Sequence, residues 1–232
     1  MKRDRRTMLG IFLAGLVLAA GMLEAGRALY SWSQSVHGKK TYTVVIDPGH
    51  GGIDPGKVGI NEVYEKDINL SIALLLKEIL EQNDCKVVMT RTTDTGLYSE
   101  GDSNKKMADL RKRCQLIDEC GADVTVSIHQ NSFSQESSKG AQVFYQTTSS
   151  QGKELADILQ KQLISSLDES NHRVAKANSD YYMLKNTKST MVIVECGFLS
   201  NRQEAELLVQ SSYQRRVAWA VALGTLQYLS AK

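Results

Sequence analysis

Two histidines in this chain, His50 and His129, each close an apolar run, and both runs end where a side chain could do chemistry. His50 follows Val44-Val45-Ile46-Asp47-Pro48-Gly49 and precedes Gly51-Gly52-Ile53-Asp54-Pro55-Gly56, so the only two prolines of the chain flank it. Proline fixes the backbone and glycine permits sharp turns, which predicts a stiff loop at the end of a buried strand. A metal ligand or a catalytic base would sit well there; a tight turn with an incidental histidine is the alternative. His129 repeats the pattern after Val124-Thr125-Val126-Ser127-Ile128, and Glu195 closes Met191-Val192-Ile193-Val194. A charge at the end of an apolar strand is costly unless it meets a partner or a cleft. Glu65, in Glu65-Lys66-Asp67, heads an amphipathic segment in which Leu70, Ala73, Leu74, Lys77 and Leu80 recur at helical spacing. Carboxylates favour a helix N-terminus, so a structural role competes there with a functional one. Glu62 is a rival that spacing does not exclude. Of the two remaining histidines, His37 falls in a polar tether and His172 in a polar loop.

Two imidazoles and one carboxylate make a three-ligand zinc site with an open fourth position, the arrangement of a catalytic zinc. Such a site makes water acidic near neutral pH and polarises a carbonyl, and a second carboxylate is then needed to move the proton. Those residue types suit hydrolysis of an amide. No lysine–serine dyad and no G-x-S-x-G elbow competes with them.

The elements that must position these groups alternate. Strands are expected at 44–46, 87–90, 124–128, 143–145 and 191–194, with a further short one at 181–184. Helices are expected from Glu65, over 107–120 and 153–167, and in two closing segments at 202–208 and 213–229. This pattern predicts a single α/β domain, a twisted and mostly parallel sheet flanked by helices on both faces. In such sheets ligands gather outside the carboxyl ends of the strands, where His50 and His129 emerge.

At 232 residues, 42% apolar and 23% charged, the chain is long enough for one sizeable globular domain plus an appendage. A net charge of +2 without a basic stripe in the body argues against a nucleic-acid partner. Lys2, Arg3, Arg5 and Arg6 precede an apolar run from Met8 to Leu23, so 1–27 reads as a signal peptide or as a signal anchor inserted in a membrane. Residues 28–40 read as a linker and 41–232 as the catalytic domain, working outside the cytoplasm. Cys85, Cys114, Cys120 and Cys196 form no C-x-x-C pair and are expected as small buried hydrophobes.

Several motifs lie in order along the chain: the strand with Asp47-Pro48-Gly49-His50-Gly51-Gly52, Glu65-Lys66-Asp67 heading a helix, Thr90-Arg91, Ser127-Ile128-His129-Gln130-Asn131, and Val194-Glu195-Cys196-Gly197-Phe198-Leu199-Ser200-Asn201. From about Thr43 to Leu229 the chain resembles the zinc-dependent N-acetylmuramoyl-L-alanine amidases of the amidase-3 family, and within it the germination-specific amidases of spore-formers. The resemblance implies one zinc ion held by His50, Glu65 and His129, which would decide for Glu65 over Glu62, and Glu195 as the catalytic carboxylate. It implies cleavage of the amide between N-acetylmuramic acid and L-alanine in peptidoglycan, in spore-cortex formation. Asp47, Asn131 and Arg91 would orient a ligand or the substrate, with turn capping an equal reading for Asp47, and Arg113 would be a structural ion-pair donor. Ile117-Asp118, Ser132 and Ser189-Thr190-Met191 depart from the family pattern without removing a ligand. No wall-binding repeat is present, so a membrane tether or an activating or recruiting protein partner would help hold the substrate. A zinc peptidase cutting within the stem peptide and a non-catalytic peptidoglycan-binding module are the rival readings.

Overall fold

The structure, a computed structural model, describes residues 21–27 and 41–232. Residues 21–27 are helical and exposed. Most of the expected signal or anchor and the whole 28–40 linker lie outside the described residues. Among the described residues, no helix is long and apolar enough to cross a membrane. The chain divides into two compact units, Met1–Thr41 and Tyr42–Lys232, and the second holds every element named below.

Six strands make one sheet: β1 (Thr43–Pro48), β2 (Lys86–Met89), β3 (Val124–Asn131), β4 (Gln142–Gln146), β5 (Lys176–Asn178) and β6 (Met191–Phe198). Their order across the sheet is β2-β1-β3-β6-β4-β5. Six helices accompany them: α1 (Glu65–Glu81), α2 (Lys105–Glu119), α3 (Ser150–Leu167), α4 (Tyr182–Asn186), α5 (Arg202–Leu208) and α6 (Ser211–Ser230).

Strand alternation sorts the side chains into two layers. Val44, Ile46, Val124, Val126, Ile128, Val192 and Val194 point to one face, where they pack with Leu76, Leu80, Leu155, Leu159, Val217 and Val221 from α1, α3 and α6. Val45, Phe144, Met191 and Ile193 point to the other face, against Cys114 and Ile117 of α2 and Met183 and Leu184 of α4. That second layer is the thinner one, and the polar side chains Asp47, Ser127, His129 and Glu195 alternate onto its side of the sheet.

The sheet is mostly parallel, as expected, and one antiparallel pairing makes it mixed. β2, β1, β3 and β6 run parallel, whereas β4 pairs antiparallel with β6 and carries β5 with it. The reason lies in the 132–141 connection, which contains no helix. A parallel return needs a crossover, usually helical; a chain that leaves the carboxyl end of β3 and re-enters from that end must run back the other way.

The short strand expected at 181–184 is instead the start of α4. Asn178 Oδ1 accepts hydrogen bonds from the backbone N–H of Asp180 and Tyr181, both at 2.8 Å, and this side-chain turn directs the chain into a helix. The strand of this region is β5, whose Lys-Ala-Asn sequence has no apolar pattern to betray it. Cys85, Cys114 and Cys196 are buried as expected, but Cys120, capping α2, is only half-buried.

Candidate active site

The loop after β1 is anchored from below. Arg91 donates to the carbonyls of Pro48 (3.0 Å), Gly49 (3.0 Å), Lys66 (2.8 Å) and Thr93 (3.1 Å). Arg113, from α2, donates to the carbonyls of Pro48 (2.8 Å) and His50 (2.7 Å) and to Asp47 Oδ1 (2.8 Å). Asp47 also accepts from Thr90 and Ser127, both at 2.6 Å. Burial alone would raise its carboxyl, but the Arg113 charge and these hydroxyls outweigh that and hold it at about 2. Asp47 and Arg91 are therefore buried beneath the loop and neither lines the cleft, so neither can touch a substrate there. Arg113 forms the structural ion pairs expected of it, with Asp47 and with Asp109 at 2.7 Å. These carbonyl contacts hold His50 in the left-handed region, at φ 63°, uncommon for a residue with a side chain.

Glu65 is the first residue of α1 and reaches over the carboxyl end of the sheet. Its Oε2 lies 3.2 Å from His50 Nε2 and its Oε1 lies 2.9 Å from His129 Nδ1. Oε1 also accepts from the Gln130 backbone N–H (3.1 Å) and Asn69 Nδ2 (3.3 Å), and Oε2 from the Lys57 N–H (2.8 Å). Burial would push the Glu65 carboxyl up, but the two histidines outweigh it and hold it below the usual range. Glu62, the rival carboxylate, sits in the preceding turn with its own backbone at φ 64° and takes no part.

The His50 and His129 rings stand 4.9 Å apart at 78°, and one ligand atom from each of His50, Glu65 and His129 falls within 4.8 Å of the others. Two imidazole nitrogens and a carboxylate oxygen are a donor set for zinc, leaving a position open toward the cleft. The backbone is shaped around them: a β-carbon at Gly49 would collide with the His129 ring, and one at Gly56 with Glu65 and His50. The residues thus fit a zinc ion.

Parallel pairing of β3 with β6 sets Glu195 directly beside His129. Glu195 is 7% exposed and its Oε2 has no hydrogen-bond partner. Burial pushes its carboxyl up to about 7; His129 and His50 pull against this, and the Glu65 charge adds to it. All four side chains line one cleft of about 500 Å³, together with Tyr181, Tyr182, Ile193 and, from α2, Lys106 and Leu110. Asn131 lines it too, its Oδ1 accepting from the Ser132 N–H at 2.8 Å.

Sequence reasoning missed Asp54, whose Oδ2 accepts from His50 Nδ1 at 3.0 Å, although the carboxylate stands four residues from the histidine in a glycine-rich turn. It also missed Tyr181, whose phenol is raised to about 12 by burial and by the Glu195 and Glu65 charges. An apolar-looking segment hid it.

The sequence matches the family model described as N-acetylmuramoyl-L-alanine amidase over residues 44–227. It is 37% identical over 204 residues to the germination-specific N-acetylmuramoyl-L-alanine amidase of Bacillus subtilis, covering 87% of this chain and 84% of that protein. Among solved structures, the CwlD amidase of Clostridioides difficile, determined in complex with the GerS lipoprotein, superposes with a TM-score of 0.80 at 40% identity, covering 83% of this chain and all of that one. An N-acetylmuramoyl-L-alanine amidase from Clostridium difficile 630 superposes with a TM-score of 0.75 at 33% identity, covering 84% of this chain and all of that one. Sequence and fold therefore agree, and this chain belongs to the N-acetylmuramoyl-L-alanine amidase family.

Proposed function

We propose that this enzyme hydrolyses the amide joining the lactyl group of N-acetylmuramic acid to the L-alanine of the peptidoglycan stem peptide, with zinc held by His50, Glu65 and His129. The observation that carries the reading is Glu195: a buried carboxylate with an unpartnered oxygen, in one cleft with a three-ligand cluster. The chemistry zinc supplies when bound is polarisation of the amide carbonyl and a water made acidic near neutrality. Glu195, as carboxylate, accepts the proton of the attacking water and delivers it to the departing nitrogen. The C–N bond breaks as the new C–O bond forms, leaving a lactyl carboxylate and a free L-alanine amine. Glu65 stays anionic because the two histidines outweigh its burial, and both of its oxygens also accept backbone N–H bonds. Asn131 is placed to touch substrate, whereas Asp47 and Arg91 act only by fixing the loop that carries His50.

Product analysis on intact peptidoglycan tests this. Mass spectrometry should find stem peptides beginning with a free L-alanine. Alanine left on the muramic acid would indicate a peptidase, and activity surviving both chelation and Glu195→Ala would overturn the mechanism.

Likeness to a germination-specific amidase supports a role outside the cytoplasm in making spore cortex, where bare muramic acid is converted to muramic-δ-lactam. A null mutant whose cortex retains normal lactam would refute that role and leave the chemistry standing. Likeness to an amidase solved with a lipoprotein supports an activating or recruiting protein partner, which co-purification from sporulating cells would test.

A further inference from the structure

We propose that Asp54 is the positioning residue for His50: its carboxylate fixes the imidazole with the proton on Nδ1 and turns Nε2 toward the zinc. The inference rests on the zinc-site reading above and concerns how this chain prepares that site.

The two histidines present different atoms to the cluster. His129 faces Glu65 with Nδ1, whereas His50 faces it with Nε2, leaving Nδ1 of His50 pointing away. That second nitrogen donates to Asp54 Oδ2 at 3.0 Å. A neutral imidazole carries one proton, and whichever nitrogen holds it cannot ligate a metal, so the partner of Nδ1 decides whether Nε2 is available. On the Nδ1 side of the ring, Asp54 is the hydrogen-bond partner, while Glu65 meets Nε2 on the other.

Asp54 is itself held rigidly. Gly51 and Asp54 exchange both backbone hydrogen bonds, at 3.0 and 3.2 Å, closing the turn that brings residue 54 back beneath residue 50. Asp54 Oδ1 accepts from the Gly56 N–H at 3.1 Å, and Pro55 between them stiffens the backbone. On the open side, Lys106 Nζ lies 3.1 Å from Oδ2 and balances its charge. Around this carboxylate, every neighbour is therefore a donor: His50 Nδ1–H, the Gly56 N–H and the Lys106 ammonium.

That donor ring provides a discriminating substitution. Asparagine has the shape of aspartate but must offer an NH₂ group to one side. With its oxygen on the Gly56 N–H, the NH₂ group opposes His50 Nδ1–H and Lys106; flipped, it opposes the Gly56 N–H. A role limited to filling the turn would be rescued by Asp54→Asn, whereas a role in choosing the imidazole tautomer would not.

The test uses the full-length protein, as wild type, Asp54→Asn and Asp54→Ala. Zinc dissociation constants are measured by competition with a chromogenic chelator, and on the metal-free forms melting temperatures are taken and the His50 ring-nitrogen protonation pattern is read by long-range ¹H–¹⁵N correlation at a pH where the ring is neutral. Both variants should bind zinc about 10- to 100-fold more weakly, the range typical when a residue supporting a metal ligand is lost. The Asn variant should still melt cooperatively without metal, and only the wild type should show His50 uniformly protonated on Nδ1. Wild-type zinc affinity in Asp54→Asn would overturn the inference. So would weakened binding accompanied by a lowered metal-free melting temperature and an unchanged His50 pattern. A wild type that takes up no zinc would instead overturn the zinc-site reading, and this inference with it.

Discussion

Glu195 has to be ionised to accept a proton, so activity should climb as pH rises through its pKa. Burial sets that value at about 7 before any cation is present, and a divalent cation beside it draws it downward. The acid limb of the kcat/KM profile is therefore expected to have its midpoint below 7. Glu195→Gln should lower kcat by about 100- to 10,000-fold, the range for loss of a general base, while zinc content after dialysis stays at the wild-type level. A deeper residue, Asp47, bears on stability. Its pKa is lowered on folding from 3.8 to about 2, so its contribution is fully present above pH 3.8 and is lost as pH falls through about 2. Removing its partner with Arg113→Met leaves a buried charge uncompensated, for which a loss of about 3–5 kcal/mol is expected in urea unfolding at pH 7. The acid-side fall in stability should flatten in the same variant.

At the scale of elements, the site is made where strand ends meet, and the meeting is tight. The end of β1 lies so close to β3 that Gly49→Ala must displace the His129 ring. We expect that variant to fold, judged by its far-UV circular dichroism, and to lose bound zinc on dialysis. The same geometry explains what the sequence made legible. His50, His129 and Glu195 each follow a short run rich in β-branched residues, and such a run reads as a buried strand whose end opens on the sheet's carboxyl edge. The direction of β4 was not legible, because it depends on a helix-free connection and on pairing with a strand almost fifty residues further along. The true depth of Asp47 and Arg91 was hidden for a related reason: alternation tells that Asp47 leaves the Val44–Ile46 face but not that α2 covers the face it joins. Asp54 escaped notice because its meaning depends on a turn that returns the chain onto itself. Glu65 differed from Glu62 only through the start of α1, which a helix-favouring stretch leaves uncertain by several residues.

For the whole molecule, the candidate ligands are held by protein contacts drawn from Arg91, α1 and α2 together. Zinc removal should accordingly cost only the linkage energy, about 2.7 kcal/mol when free zinc had been at 100 times the dissociation constant. Chelated protein is expected to retain its far-UV spectrum and a single cooperative melt at lower temperature; a non-cooperative melt would contradict this. The arginine foundation beneath the His50 loop also has a consequence for the order of events in the protein's lifetime. Arg91 comes from the end of β2 and Arg113 from the middle of α2, so the loop cannot take its shape until both have docked. With zinc in the proposed site, maturation is expected to run in one direction: the polypeptide completes its fold first and acquires metal afterwards, unlike small zinc modules that fold only around their ion. An enzyme built in that order can be delivered as an inert apoprotein and switched on by the metal supply at its destination.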